Sequence, residues 1–111
     1  MSNVFLERQF EEMVTDDDLV GMASESSACF DLHRVDWQES FLSRDRTRLL
    51  CHYRAPDAES VRTAQRSLNA DMRIHWPGTI HDAPDRTPDE ILDANVIVHR
   101  TFDDPVALED L

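Results

Sequence analysis

The sequence predicts an α+β fold in which a four-stranded antiparallel sheet carries two helices on one face and leaves the other face open. Three observations lead to this prediction. Apolar and polar residues alternate in four short segments, as they do in half-buried strands. Two longer segments have helical spacing of their apolar residues. The order of these elements is β-α-β-β-α-β, the ferredoxin-like arrangement, and it occupies residues 3–80 of a chain of 111 residues.

The first strand and the first helix are the most clearly marked elements. Residues 3–10, with the sequence NVFLERQF, alternate as a strand does, and Val4 and Leu6 lie on the more apolar face. Thr15 precedes three aspartates, which predicts a helix N-terminus because acidic side chains stabilise the first turn. An apolar stripe continues this helix to about Leu32.

The next segments predict a hairpin, a second helix and a last strand. Residues 35–43 alternate, and a short polar turn joins them to a second alternating segment at 47–55. Asp57 is a suitable N-cap for a helix whose apolar residues share one face. Residues 72–76 then predict the fourth strand, which ends at a Pro-Gly pair.

The remaining residues, 81–111, form a C-terminal extension. Thr87 begins a capping box with proline at the first helical position, so a short helix is expected to about Leu92. Residues 95–111 align without a gap to residues 3–19, which indicates the start of a second repeat. We therefore expect an extra strand in the extension, at a sheet edge or exchanged with a partner; chance similarity of two amphipathic strands is the alternative.

The composition excludes several classes of partner. The net charge is -12 and every basic residue is arginine, so the surface repels nucleic acid and anionic lipid. No run of about 18 apolar residues is present to span a membrane, and the N-terminus lacks the pattern of a signal peptide. A cytoplasmic location is expected, with Cys29 and Cys51 as free thiols; one disulfide between them is the alternative.

Three short motifs follow one another on the first three predicted strands. They are Glu7-Arg8-Gln9-Phe10, Val35-x-Trp37-x-x-Ser40 and Cys51-x-Tyr53-x-Ala55-Pro56. In order and spacing they resemble the small ferredoxin-like nickel-binding proteins of bacteria, a family whose function was long unknown. The resemblance implies a dimeric α+β fold and, for at least some members, nickel binding; it implies no established enzyme activity.

Strand alternation sorts the possible metal ligands between the two faces of the sheet. In a sheet of order 4-1-3-2, Glu7, His52 and His75 are predicted on the open face, on three adjacent strands. Because adjacent strands lie about 4.8 Å apart, these side chains can converge on one ion. Imidazole and carboxylate groups suit divalent Ni, Zn or Cu. The alternative is that they are ordinary polar residues on a solvated or dimer-facing sheet.

The same alternation points Cys51 and Tyr53 toward the helices, together with Trp37 and Trp76. Cysteine and tyrosine commonly pack in cores, and this is the favoured interpretation of the pair. They are also retained as candidate metal ligands, which requires a lowered thiol pKa. Ser40 is expected on the open face.

Three functional hypotheses follow. The first is a homodimer, or higher oligomer, that binds a divalent metal such as nickel without established catalysis. The second is a small cofactor-free monooxygenase or isomerase of the dimeric α/β barrel type, in which Cys51, His52 and Tyr53 act as acids or bases. The third is a non-catalytic assembly module whose C-terminal strand links copies of the chain.

Overall fold

A computed structural model of the chain describes residues 1–67, 74–81, 85–87, 89–90 and 96–107. Its elements are β1 (Ser2–Gln9), α1 (Asp16–Leu32), β2 (Asp36–Leu42), β3 (Arg48–Ala55), α2 (Ala58–Ser67) and β4 (Ile74–Gly78). The strands form one sheet in the order β2-β3-β1-β4, and every neighbouring pair is antiparallel. The predicted ferredoxin-like fold and its strand order are confirmed.

Both helices begin at the predicted caps. The Asp18 backbone N–H donates to Thr15 Oγ1 at 3.1 Å, and the Thr15 backbone N–H donates to Asp18 Oδ2 at 3.0 Å. At the start of α2, the Ser60 backbone N–H donates to Asp57 Oδ1 at 2.7 Å. These hydrogen bonds lower the pKa of both aspartates, because they stabilise the charged carboxylate.

The core lies between α2 and the sheet. Leu6 of β1 and Val61 and Ala64 of α2 are fully buried, and they belong to one cluster with Tyr53 of β3. Helix α2 contacts β1, β3 and β4, whereas α1 packs against α2. No residue of α1, which the structure describes along its whole length, is buried. Helix α1 therefore forms an outer wall of the molecule and contributes only partly buried side chains to the core.

The faces of β4 differ from the prediction. In the register of β1 and β4, Phe5 lies opposite Trp76 and Leu6 lies opposite His75. Directly opposed residues share a face, so Trp76 lies on the open face and His75 lies on the helix-facing side. The prediction had them reversed. Stacking of Trp76 on Phe5 favours this register, and Gly78 permits it, since a Cβ there would lie 2.8 Å from the Trp76 ring.

Strand β2 contains an irregularity that reverses its alternation. The register shifts between Trp37 and Glu39, so that Glu39 lies opposite His52 and Ser40 lies opposite Cys51. Ser40 is therefore on the helix-facing side, not on the open face as predicted. Trp37 lies opposite Tyr53, on the helix-facing side as predicted, but the residue is 56% exposed and so is not part of the core. A β-bulge has this effect because one extra residue inverts the faces of all that follow.

The chain divides into two units, Met1–Ile80 and His81–Leu111. In the second unit, Thr87 and Glu90 form the predicted capping box, in which each backbone N–H donates to the other side chain at 3.2 Å. The remainder of the predicted helix, 88 and 91–92, lies outside the described residues.

The described part of the C-terminal repeat, residues 96–107, has no strand. Within one chain these residues therefore do not add an edge strand to the sheet, and the alternative of a strand exchanged with a partner stays a prediction. The other predicted residues, 95 and 108–111, lie outside the described ranges. A side-chain contact of the repeat is nevertheless preserved. The Arg100 guanidinium lies 5.1 Å from the Phe102 ring centroid, as Arg8 lies 5.0 Å from that of Phe10.

None of the helices in the described ranges is long and apolar enough to cross a bilayer.

Truncation of Leu6 tests whether the core depends on the contact between β1 and α2. Leu6→Ala is expected to lower the free energy of unfolding by about 2–5 kcal/mol, because it removes a fully buried side chain and leaves a cavity. Urea unfolding measures this difference. Leu32→Ala is the matched control, since Leu32 is 78% exposed, and a change within about 0.5 kcal/mol is expected. Equal losses in the two variants would contradict the assignment of the core.

Candidate functional site

Three aromatic rings from three adjacent strands stack on the open face. The centroid of the Phe5 ring lies 5.0 Å from that of His52 and 4.7 Å from that of Trp76, and both pairs are stacked. The rings come from β1, β3 and β4 because Phe5 lies opposite His52 on one side and opposite Trp76 on the other. The stack covers His52, whose residue surface is only 6% exposed.

Both ring nitrogens of His52 have hydrogen-bond partners. Nδ1 lies 2.9 Å from Glu39 Oε1, and Nε2 lies 2.8 Å from Asn3 Oδ1. A carboxylate accepts but does not donate, so Glu39 holds the proton on Nδ1. When the imidazole is neutral, Nε2 carries a lone pair and accepts a hydrogen bond. The Asn3 side chain can donate it, because the amide oxygen and the amide NH2 group can exchange places.

The three ligands predicted for the open face do not gather at one point. Glu7 shares that face with His52, and its carboxylate lies 3.6 Å from the Arg48 guanidinium. His75 lies on the helix-facing side, because it is opposite Leu6 in the register of β1 and β4. Among the residues that the structure describes, no group of three or more His, Cys, Asp or Glu side chains is arranged to hold a metal ion. The donor chemistry of His52 suits such an ion, but one chain provides an incomplete set.

Two residues of this cluster were absent from the sequence prediction. Asn3 shares the face of Phe5 on β1, so its place on the open face follows from the strand period, but its sequence position does not distinguish it from other polar residues of that face. Glu39 reaches His52 only through the bulge after Trp37. The alternation of β2 is interrupted at Glu39, because strict alternation with Trp37 and Phe41 would place this charged residue on the buried face, and the interruption is a signal of the bulge.

Cys51 and Tyr53 lie on the opposite face, under the helices, as predicted, and both are buried. The Trp37 indole N–H donates to Ser40 Oγ at 2.8 Å, and the Ser40 hydroxyl donates to Cys51 Sγ at 3.0 Å. Gln65 Nε2 donates to the Tyr53 hydroxyl oxygen at 3.1 Å. Burial raises the pKa of the Cys51 thiol and, more strongly, that of the Tyr53 phenol. At neutral pH both groups therefore keep their protons and act as hydrogen-bonding groups; ligation of a cation through the thiolate or phenolate would have to overcome this cost.

A cleft of about 880 Å³ lies between α1 and the helix-facing side of the sheet. Cys51 and Tyr53 line it, together with Leu49 of the same strand and with Met22 and Phe30 of α1. The cleft lies between the sheet and the helices, where the monooxygenase or isomerase alternative would have its site, whereas the apolar stripe of α1 by itself suggested a helix that packs closely on the sheet.

The region of family similarity contains Phe5, Glu39 and His52 of the candidate site, whereas Asn3 and Trp76 lie outside it. A family model described as nickel responsive protein SCO4226-like matches residues 5–73. Among solved structures, the crystal structure of SCO4226 from Streptomyces coelicolor A3(2) is similar, with a TM-score of 0.61 and 14% identity. The similarity covers 78% of this chain and 100% of that one, and at such low identity it concerns the fold alone. No curated protein sequence matches the chain.

The protonation of Cys51 is directly measurable. In a Cys29→Ser variant, where Cys51 is the only thiol, the ultraviolet absorbance of the thiolate is expected to appear only above the ordinary thiol pKa of 9.0. The reason is that burial disfavours the charged form. Adding Ser40→Ala removes a hydrogen bond that stabilises the thiolate, so the transition should move to still higher pH. A thiolate signal at neutral pH would contradict this account.

Proposed function

This chain belongs to the family of SCO4226-like nickel responsive proteins, and on that premise we propose that it is a cytoplasmic homodimer that binds a nickel-like divalent cation. The observation that carries the proposal is the His52 imidazole on the open face, with Nδ1 held by Glu39. The two free cysteines are in keeping with a reducing compartment.

The pairing of His52 with Glu39 is the arrangement that prepares a histidine for metal ligation. A carboxylate that accepts from one ring N–H fixes the tautomer, orients the ring and raises the basicity of the other nitrogen. Nε2 is then the donor atom, and a cation that binds it takes the place of the hydrogen bond between Nε2 and the Asn3 side chain. Imidazole is a ligand common to nickel, zinc and copper. These ligands therefore define a class of cation and do not select one element.

A second copy of the chain supplies the remaining ligands in this proposal. The open face carries Trp76, which is partly exposed, and Phe5, so it offers apolar surface to a partner. A two-fold dimer buries the same surface of both chains, and it would place the His52 of each beside the other open face. Glu7 lies on this face as a further donor. Cys51, Tyr53 and His75, which lie on the helix-facing side, are not part of the proposed site.

Nickel titration by calorimetry tests the site. The unaltered protein is expected to bind about one nickel ion for two chains, and His52→Ala is expected to abolish binding. Glu39→Gln should weaken nickel binding by about 10–100-fold, because it removes the group that orients the ring. Light scattering with and without nickel measures the accompanying dimerisation.

His75→Ala is the matched control for this experiment. It also removes one imidazole from the sheet, but from the other face, so nickel affinity should stay within about twofold of the unaltered protein. Nickel binding that survives His52→Ala, or that is lost in His75→Ala alone, would exclude the proposed site.

We also propose that residues 96–102 take part in the assembly of several copies. Val96, Ile97 and Val98 are exposed, and the segment repeats the sequence of β1 together with its Arg–Phe contact. Exposed apolar segments of strand-like sequence readily pair with the free edge of a sheet in another molecule.

Removal of residues 81–111 tests this role of the extension. All six elements lie before residue 80, so the shortened chain is expected to keep its circular dichroism spectrum. The full chain should form assemblies larger than those of the shortened chain, as measured by light scattering. An identical oligomeric state for the two chains would refute the role in assembly.

A further inference from the structure

We propose that the cleft between α1 and the helix-facing side of the sheet binds a small amphipathic monocarboxylate, with its carboxylate at the Arg8 guanidinium and its apolar body along the cleft walls. The cleft lies on the opposite side of the sheet from His52, so this inference does not depend on the proposed metal site. It rests on the position of Arg8, the chemistry of the walls and the placement of the acidic residues.

Arg8 is a charged residue on the face of β1 that otherwise builds the core. It shares that face with Leu6, lies opposite Leu49 of β3 and lines the cleft. The residue is only partly exposed. Its guanidinium lies 5.0 Å from the Phe10 ring centroid and donates to Met22 Sδ at 3.4 Å. These contacts hold the guanidinium between the end of β1 and helix α1.

The guanidinium is the charge that the interior of the cleft presents. Among the described residues that line the cleft, Arg8 is the only basic one. Burial raises the pKa of Cys51 and of Tyr53, and the charge of Arg8 opposes this rise at both groups. Because burial outweighs this opposition, the thiol and the phenol stay protonated at neutral pH. The cleft therefore offers a ligand one positive charge beside neutral hydrogen-bonding groups.

A guanidinium is well suited to a carboxylate ligand. Its five N–H donors form a planar fork, so it can bind both oxygens of a carboxylate while it keeps other contacts. Arginine also stays charged at neutral pH whatever its surroundings. Because Arg8 is partly withdrawn from water, a carboxylate bound to it is screened less than one bound to a surface arginine.

The walls of the cleft suit an apolar body. Its apolar side chains include two from α1 and two from the sheet, Leu19, Met22, Leu42 and Leu49. Leu49 is the direct neighbour of Arg8 across β1 and β3, and Leu42 is that of Leu49 across β2 and β3. An apolar strip therefore leads away from the guanidinium. The volume of about 880 Å³ lies in the range of about 300–1,000 Å³ found for small-molecule pockets.

The acidic residues of the cleft lie at its outer edge and limit the charge of the ligand. Glu25, Asp31 and Asp36 line it but are exposed, and Asp36 points to the opposite face of β2 from Trp37. Water screens these carboxylates from a group at Arg8. The net charge of -12 nevertheless repels ligands with several negative charges. The ligand therefore carries one negative charge and gains part of its affinity from its apolar body.

Three matched probes test the chemistry of the ligand. Octanoate, 1-octanol and octylammonium share one alkyl chain and differ in charge. We expect octanoate to bind about tenfold or more tightly than either of the others, as measured by calorimetry. In an NMR titration octanoate should shift the indole N–H signal of Trp37, which lines the cleft, and leave that of Trp76 in place. Absence of octanoate binding, or equal binding of either other probe, overturns the proposal.

Substitutions of arginine test the role of the guanidinium. Arg8→Met removes the charge and keeps an apolar side chain, so it should weaken octanoate binding by about tenfold or more with little effect on 1-octanol. Arg8→Lys keeps the charge without the fork and should recover part of the affinity. Arg54→Met is the matched control, because Arg54 is exposed on the open face opposite Asn3, and affinity should stay within about twofold. Unchanged octanoate binding in Arg8→Met, or an equal loss in Arg54→Met, overturns the proposal.

Two substitutions on α1 keep the test decisive if Arg8→Met fails to fold. Ala23 lines the cleft, so Ala23→Phe should fill it and weaken octanoate binding by about tenfold or more. Val20→Phe is the matched control, because Val20 is exposed and is not among the lining residues, and binding should be unchanged. His52→Ala should also leave octanoate binding unchanged, which distinguishes the cleft from the metal site. Unaltered binding in Ala23→Phe, or loss of binding in His52→Ala, counts against the proposal.

Discussion

The stacking of Phe5 between His52 and Trp76 fixes the faces of the three strands that it joins. Because Phe5 occupies the open face, Val4 and Leu6 on either side of it must point into the core, where both are fully buried. A one-residue slip of β1 would expose these two side chains and bury Phe5 instead. The same stack shelters His52 and brings it against Asn3, so the feature that sets the register of the sheet also builds the candidate site.

The two helices pack on the sheet to different extents, and the two faces of the sheet differ in their chemistry. Helix α2 buries Val61 and Ala64 against the sheet and thereby closes the core. Helix α1, described along its whole length, has no buried residue and contacts the sheet through Phe30, whose ring lies edge-on to that of Tyr53 at 5.4 Å between centroids, and the cleft lined by Cys51 and Tyr53 remains beside this contact. An imidazole with a carboxylate partner lies on one side of the sheet, and neutral hydrogen-bonding groups in an apolar cleft lie on the other. Cys51 and His52 are neighbours in β3, but their chemical surroundings differ because successive side chains of a strand point to opposite faces of the sheet.

The alternation of each strand was predictable from the sequence. Which of its residues face the helices was not predictable for every strand. The helix caps at Thr15 and Asp57 followed from local chemistry, and the faces of β1 and β3 followed from a clear contrast between apolar and polar residues. In β4 this contrast misled, because Trp76 is apolar and yet lies on the open face, where the ring of Phe5 stabilises it. In β2 the bulge exchanged the places expected for Glu39 and Ser40. The position of Trp76 arises from a contact between strands, which no single strand's pattern contains, whereas in β2 the charged Glu39 marks where the alternation breaks.

The C-terminal repeat shows which features of β1 depend on its own sequence and which depend on pairing with other strands. Arg8 and Phe10 contact each other, as do Arg100 and Phe102, although the first pair belongs to the end of a strand and the second pair lies where residues 96–107 form none. The contact is therefore a local property of the Arg-x-Phe sequence. What makes β1 a strand is its pairing with β3 and β4 on either side. A segment of nearly the same pattern needs a comparable edge to pair with, and in the assembly proposed here another copy of the chain provides it.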